Sequence, residues 1–258
     1  SIRRQRQMCI RDRWGRNPPF PQKENTMEIS KIREMAKFFA DIPIYDTRVG
    51  GVASHPFTNT WITGIYDKDR KLTFVDLRKE DEQAKWREQI KATIEESDLR
   101  GICLMLNKPY ILTFISYIES MLSDEELGMI LGTFWTAIEN ITGDSNVNGM
   151  EIVKWFKRAD KKSLMNEEEL LVYESLPEEV TVYRGVTSYN RKKEKALSWT
   201  LDYEKAVWFA NRFSTGTGEV WTMTVPKKRI LCYFDGCNEQ EAIVDLYRFK
   251  GKKEVQKV

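Results

Sequence analysis

Residues 196–212 read Ala-Leu-Ser-Trp-Thr-Leu-Asp-Tyr-Glu-Lys-Ala-Val-Trp-Phe-Ala-Asn-Arg. A short strand over Ala196-Leu-Ser-Trp leads directly into a helical pattern over residues 203–213, with Ala206, Val207, Phe209 and Ala210 on its apolar side. On either side lie further short strands: Val180-Thr-Val-Tyr, Val220-Trp-Thr-Met-Thr-Val, Ile230-Leu-Cys-Tyr-Phe and Ala242-Ile-Val-Asp-Leu. After Pro177 the order is therefore strand, strand, helix, strand, strand, strand.

The chain before Pro177 has a different rhythm. Ile29, Ile32, Met35, Phe38 and Phe39 recur at helical spacing, Pro43 stops the pattern, and Gly50-Gly51 marks a turn. Residues 61–66 and 72–77 flank a polar segment and read as a β-hairpin. Helices are expected over residues 80–97, 110–122, 124–141, 147–157 and 166–174. Pro109 suits a helix start, and Ser123 with Glu126 makes a capping box. The expected division is a doubtful leader (residues 1–26), a mainly helical part (27–170) and a strand-rich part (171–258), with a soft boundary near 170. The two parts are allowed to form one unit.

Composition limits the function classes. Lys and Arg number 41 against 39 Asp and Glu, so no global field points to nucleic acid or membrane. The leader SIRRQRQMCIRDR alone holds five arginines and one aspartate. It lacks the apolar core of a signal peptide and resembles translated adapter sequence, so Met27 is the expected start. The longest apolar stretches fall short of the roughly 20 residues a spanning helix needs. Cys9, Cys103, Cys232 and Cys237 form no CxxC pair, which suits reduced thiols in a cytoplasmic protein. Delivery to a target cell without a signal peptide is the other expectation for localisation.

Several chemistries find no support. His55 is the single histidine, so imidazole-rich zinc sites are excluded, and no nucleophile-elbow motif accompanies it. Beside Pro56 it reads as structural. Asp144-Ser-Asn146-Val-Asn148-Gly149 begins like a calcium loop, but its twelfth position is Trp155, which cannot ligate calcium. Thr215-Gly216-Thr217-Gly218 lacks the following Lys and leads into a strand, so it reads as a turn.

The strand-rich part carries polar residues in a meaningful order. Arg184-Gly185 ends one strand, Ser198-Trp199-Thr200 ends the next, and Glu239-Gln240-Glu241 precedes the last. In extended chain, residues two apart point to one side, so Ser198 and Thr200 are expected to share a face opposite Trp199, and Glu239 and Glu241 to share one likewise. Singly these are ordinary surface features; order, spacing and strand placement together are more specific.

Over about residues 176–247 the chain resembles the ADP-ribosyltransferase family, in its cholera-toxin-like branch with Arg, Ser-Thr-Ser and Glu-x-Glu motifs. The middle motif here is Ser198-Trp199-Thr200, and the loop after the helix is short, with Phe213 its one nearby aromatic. The resemblance implies an α+β chain: a mainly helical N-terminal half with a small hairpin, then an ADP-ribosyltransferase-like mixed β-sandwich. It implies NAD as co-substrate, with no metal expected, and ADP-ribose passing to a protein acceptor, with arginine favoured, as nicotinamide leaves. Because that leaving group departs from a cationic ring it needs no general acid, and stabilising an oxocarbenium-like sugar is the main task.

On that pattern Glu241 is the catalytic carboxylate against the ribose, Ser198 orients it, and Thr200 supports the strand end. Arg184 with Gly185 takes a phosphate of NAD, Phe213 contacts nicotinamide, and Glu239 serves the acceptor. A guanidinium, with its pKa above about 12, needs help to lose a proton. The other readings are an NAD glycohydrolase, a non-catalytic binding module on the same fold, and a helical interaction protein. Neither a membrane nor a nucleic acid is an expected partner.

Overall fold

The structure is a computed structural model describing residues 26–258 except 68, 138–145, 189, 192–194, 213–217 and 237. It is an α+β chain divided into two compact units, one ending at Leu122 and one running from Ser123 to Val258. Among the described residues no helix is long and apolar enough to cross a membrane.

In the first unit, helix α1 (Thr26–Ala40) buries Ile29, Ile32, Ala36 and Phe39; of the expected stripe, Met35 is half-buried and Phe38 is exposed. Three short strands follow, β1 (Tyr45–Asp46), β2 (Val52–His55) and β3 (Thr58–Thr60), paired in that order as a small antiparallel sheet. The expected hairpin is β4 (Ile62–Tyr66) paired with β5 (Leu72–Asp76). Helix α2 (Glu80–Glu96) sets Trp86 into a cluster with Ala53, Trp61, Val75 and Leu77. Helix α3 (Leu99–Met105) is capped by Asp98, which accepts from Gly101 N–H. After a 3-10 turn carrying Pro109, α4 (Ile111–Ile118) is buried along most of its length, with Phe114 edge-on to Phe39 at 5.2 Å.

His55, at the end of β2, is 0% exposed. Its Nδ1 accepts from Phe57 N–H at 3.1 Å and its ring stands edge-on to Trp86 at 5.2 Å. Burial, reinforced by the Arg87 guanidinium, pushes its pKa down to about 4.

The second unit opens with α5 (Asp124–Phe134), started by the capping box of Ser123 and Glu126 and prolonged by a 3-10 turn over Trp135–Ala137. Helix α6 (Gly149–Arg158) is capped by Asn148, which accepts from Glu151 N–H. Asn148 thus serves a helix start; Asp144, in the same calcium-like stretch, lies outside the described residues. Then come α7 (Lys161–Leu164) and α8 (Glu167–Ser175), the latter with a second capping box from Asn166 and Glu169.

The strands are β6 (Glu179–Val186), β7 (Ser198–Thr200), β8 (Glu219–Pro226), β9 (Ile230–Phe234), β10 (Glu241–Val244) and β11 (Lys253–Lys257), with α9 (Tyr203–Asn211) between β7 and β8. They form one sheet in the order β11-β8-β6-β7-β10-β9, and every described pairing is antiparallel. The mixed sandwich expected from the resemblance is thus one continuous antiparallel ladder. Its physical cause is Thr200, in register with Tyr183 on one side and Glu241 on the other, which joins the two halves.

The register sorts side chains by face. Val180, Val182, Trp199, Trp221, Met223, Val225, Ala242 and Val244 belong to one apolar cluster, so Trp199 does lie opposite Ser198 and Thr200. On the other face α9 lays Ala206 and Ala210 against Val220. At one border β9 is buried from end to end beside α6 and α8; at the other β11 keeps most of its residues exposed.

Candidate functional site

The polar residues of interest lie where β6, β7 and β10 run side by side. Gly185 explains how α9 comes so close to them. A Cβ there would sit 2.6 Å from Ala210 N and 2.6 Å from Phe209 Cβ, so the strand must carry glycine for the helix to pack. Gly185 therefore serves helix–sheet contact, and its carbonyl accepts from Asn190 Nδ2 at 3.3 Å. Asp202 caps the same helix, accepting from Glu204 N–H at 2.8 Å and Lys205 N–H at 3.3 Å.

Thr200 fixes the strand end. Its hydroxyl donates to the Glu239 carbonyl at 2.8 Å and accepts from Asp202 N–H at 3.1 Å. Ser198 contributes its main-chain carbonyl, which accepts from Arg184 Nη1. Arg184 stands in register with Trp221, so its Cβ belongs to the apolar face, opposite that of Ser198 and Thr200. Its guanidinium nevertheless reaches the Ser198 backbone. Nε is fully shielded and has no hydrogen-bond partner among the described residues. Burial lowers the Arg184 pKa to about 10, against the opposing pull of the Glu241 carboxylate.

Glu241 begins β10 and is 9% exposed. Its Oε1 accepts from the indole Nε1 of Trp135 at 3.2 Å. The donor of this bond, Trp135, lies on a helical segment far earlier in the chain. An indole partner from another element leaves no local signal in the sequence.

The expectation that Glu239 and Glu241 share a face is corrected. Gln240 has φ 46° and Asn238 φ 53°, so the chain is not extended here and alternation does not apply. Asp235 holds this turn: its carbonyl accepts from Asn238 N–H at 2.9 Å and its Oδ1 from Gln240 N–H at 3.0 Å. Glu239 sits in that turn, partly exposed, beside the strand that carries Glu241. Phe213 lies outside the described residues.

Arg184, Ser198, Thr200 and Glu241 therefore lie on three adjacent strands, with the Cβ of Arg184 on the face opposite Ser198, Thr200 and, by register, Glu241, and with Glu239 in the turn before β10. Among the described residues no group of three His, Cys, Asp or Glu side chains is placed to hold a metal ion. Cys103 is buried, and burial raises its pKa to about 12, which makes it a poor nucleophile. A scan against protein-family models finds no match to this chain, and searches of curated proteins and of solved structures find none either.

Proposed function

We propose that the chain is an NAD-dependent mono-ADP-ribosyltransferase acting through the site around Glu241, with a protein arginine as acceptor. The observation that carries the reading is the buried Arg184 guanidinium, with an unpartnered Nε, in the field of a buried Glu241 carboxylate on a neighbouring strand pair. A buried cation with a spare donor suits a phosphate oxygen, and a planar fork suits it better than an ammonium. NAD, when bound, supplies the activated C1′–N bond, whose electron pair leaves with nicotinamide.

Glu241 presents a fixed negative charge where positive charge develops on the sugar, with no reorganisation needed at that moment. Trp135 holds one oxygen of this carboxylate, which would meet the ribose hydroxyl. Glu239, partly exposed in the turn before β10, takes the proton that the acceptor guanidinium gives up as its nitrogen bonds to C1′. An NAD glycohydrolase would use the same residues with water as acceptor.

A non-catalytic binding module is favoured by one feature: Arg184 Nη1 and Glu241 Oε1 already have partners within the protein. Nicotinamide release by wild type and by Glu241→Gln separates the two readings. Release that the substitution abolishes supports the transferase or glycohydrolase. No release with arginine analogues or lysate present rejects both and leaves a silent fold.

A further inference from the structure

We infer that Trp135 is a positioning residue for Glu241, fixing the direction of that carboxylate and favouring its ionised form. This rests on the reading of Glu241 as the reacting carboxylate.

Both ends of the hydrogen bond are anchored. Trp135 is 1% exposed, and its ring stands edge-on to Phe156 at 4.7 Å. Phe156 in turn meets Phe234 at 6.4 Å, and Phe234 is in register with Glu241 across the β9–β10 pair. The indole is therefore seated on the same pair of strands that presents the carboxylate. Its direction is set by packing around the ring.

An indole N–H can only donate. It strengthens the carboxylate and offers nothing to the protonated acid, so it works against the burial that would favour a proton on Glu241. The same bond fixes one oxygen, leaving the carboxylate less freedom to rotate.

The charged groups nearby do not replace this role. Arg184 on β6 acts on Glu241 through its charge, and Glu239 lies two residues before it. The residues in register with Glu241 are Thr200 and Phe234, and neither titrates as an acid or base here. On α6 and α7, Lys157 is held by Asp245 at 2.6 Å, and Lys161 by the carbonyls of Phe156 and Leu231.

The test follows Glu241 by carbon NMR of glutamate-labelled protein across pH, alongside nicotinamide release, in wild type, Trp135→Phe and Phe156→Leu. Trp135→Phe removes the N–H and keeps an aromatic ring. Phe156→Leu loosens the same packing and leaves the N–H in place. The Glu241 titration is expected to move to higher pH in Trp135→Phe and to stay near wild type in Phe156→Leu. In Trp135→Phe kcat falls roughly ten- to a hundredfold with little change in KM, the scale of one hydrogen bond to a charged group. An unmoved titration in Trp135→Phe, or an equal shift in both variants, overturns the inference.

If wild type releases no nicotinamide, the functional reading fails while the titration still decides whether the indole controls Glu241. Should Trp135→Phe not fold, the unmutated protein carries the test. The Trp135 indole N–H resonance is expected to titrate with Glu241 and to lose that step in Glu241→Gln. A resonance without the step overturns the inference.

Discussion

The guanidinium of Arg184 donates through Nη1 to the backbone carbonyl of Ser198, tying a side chain of β6 to the strand that carries the central motif. A lysine at this position could not keep that bond and also present a second donor in the same plane. Arg184→Lys is expected to lower the melting temperature and to weaken NAD binding by about tenfold or more. Thermal unfolding and calorimetric titration with NAD measure the two effects. Unchanged values in both would show that the fork geometry is irrelevant.

Glu239 lies in the turn before β10 and Glu241 begins that strand, with Gln240 at φ 46° between them. Glu239→Gln should preserve nicotinamide release into water while transfer to arginine analogues drops roughly tenfold or more. Comparing the two products in one assay checks this. Equal loss of both would place Glu239 in the chemistry of the sugar instead.

Gly185→Ala puts a methyl group into the contact between β6 and α9, where Ala210 N stands 2.6 Å from the new atom. Overpacking of this kind costs about 1–3 kcal/mol. Denaturant unfolding should show a lower midpoint with an unchanged slope. A variant as stable as wild type would mean that the helix can shift away at little cost.

His55 is buried neutral, with its folded pKa near 4 against the ordinary 6.5. The sign follows from proton binding: between these values the unfolded chain holds the proton and the folded one does not, so stability falls as pH falls from about 6.5 to about 4. The loss is on the order of 1–3 kcal/mol. Chemical denaturation at stepped pH should show this slope in wild type and a shallower one in His55→Asn. Parallel profiles would remove His55 as the cause.

Where the signal is local, the sequence was readable. Ser123 with Glu126 is a capping box in the chain and in the structure, and the alternation of β6 and β8 and the apolar run of β9 placed those strands within a residue or two. Lys253-Glu-Val-Gln-Lys has too little apolar alternation to announce β11. The strands of residues 45–60 are two to four residues long and read as turns.

At the site, the placement of Arg184, Ser198 and Glu241 in three short strands was readable from local patterns. Two features were not. The face occupied by Arg184 depends on which residue of β6 meets Thr200, a matter of register. The bond from Trp135 spans 106 residues, and no short-range pattern encodes it.

The two borders of the sheet have a consequence for the protein in concentrated solution. The Ile230–Phe234 strand, all apolar in composition, is shut away beneath helices, while the open border carries Lys253, Glu254, Gln256 and Lys257. A bare apolar ribbon would recruit a neighbouring chain into continuous pairing; a fringe of alternating charge repels one. The molecule thus guards against fibrous growth at the open seam of its main sheet, and its greatest exposure to that hazard comes before the helices have closed over Ile230–Phe234.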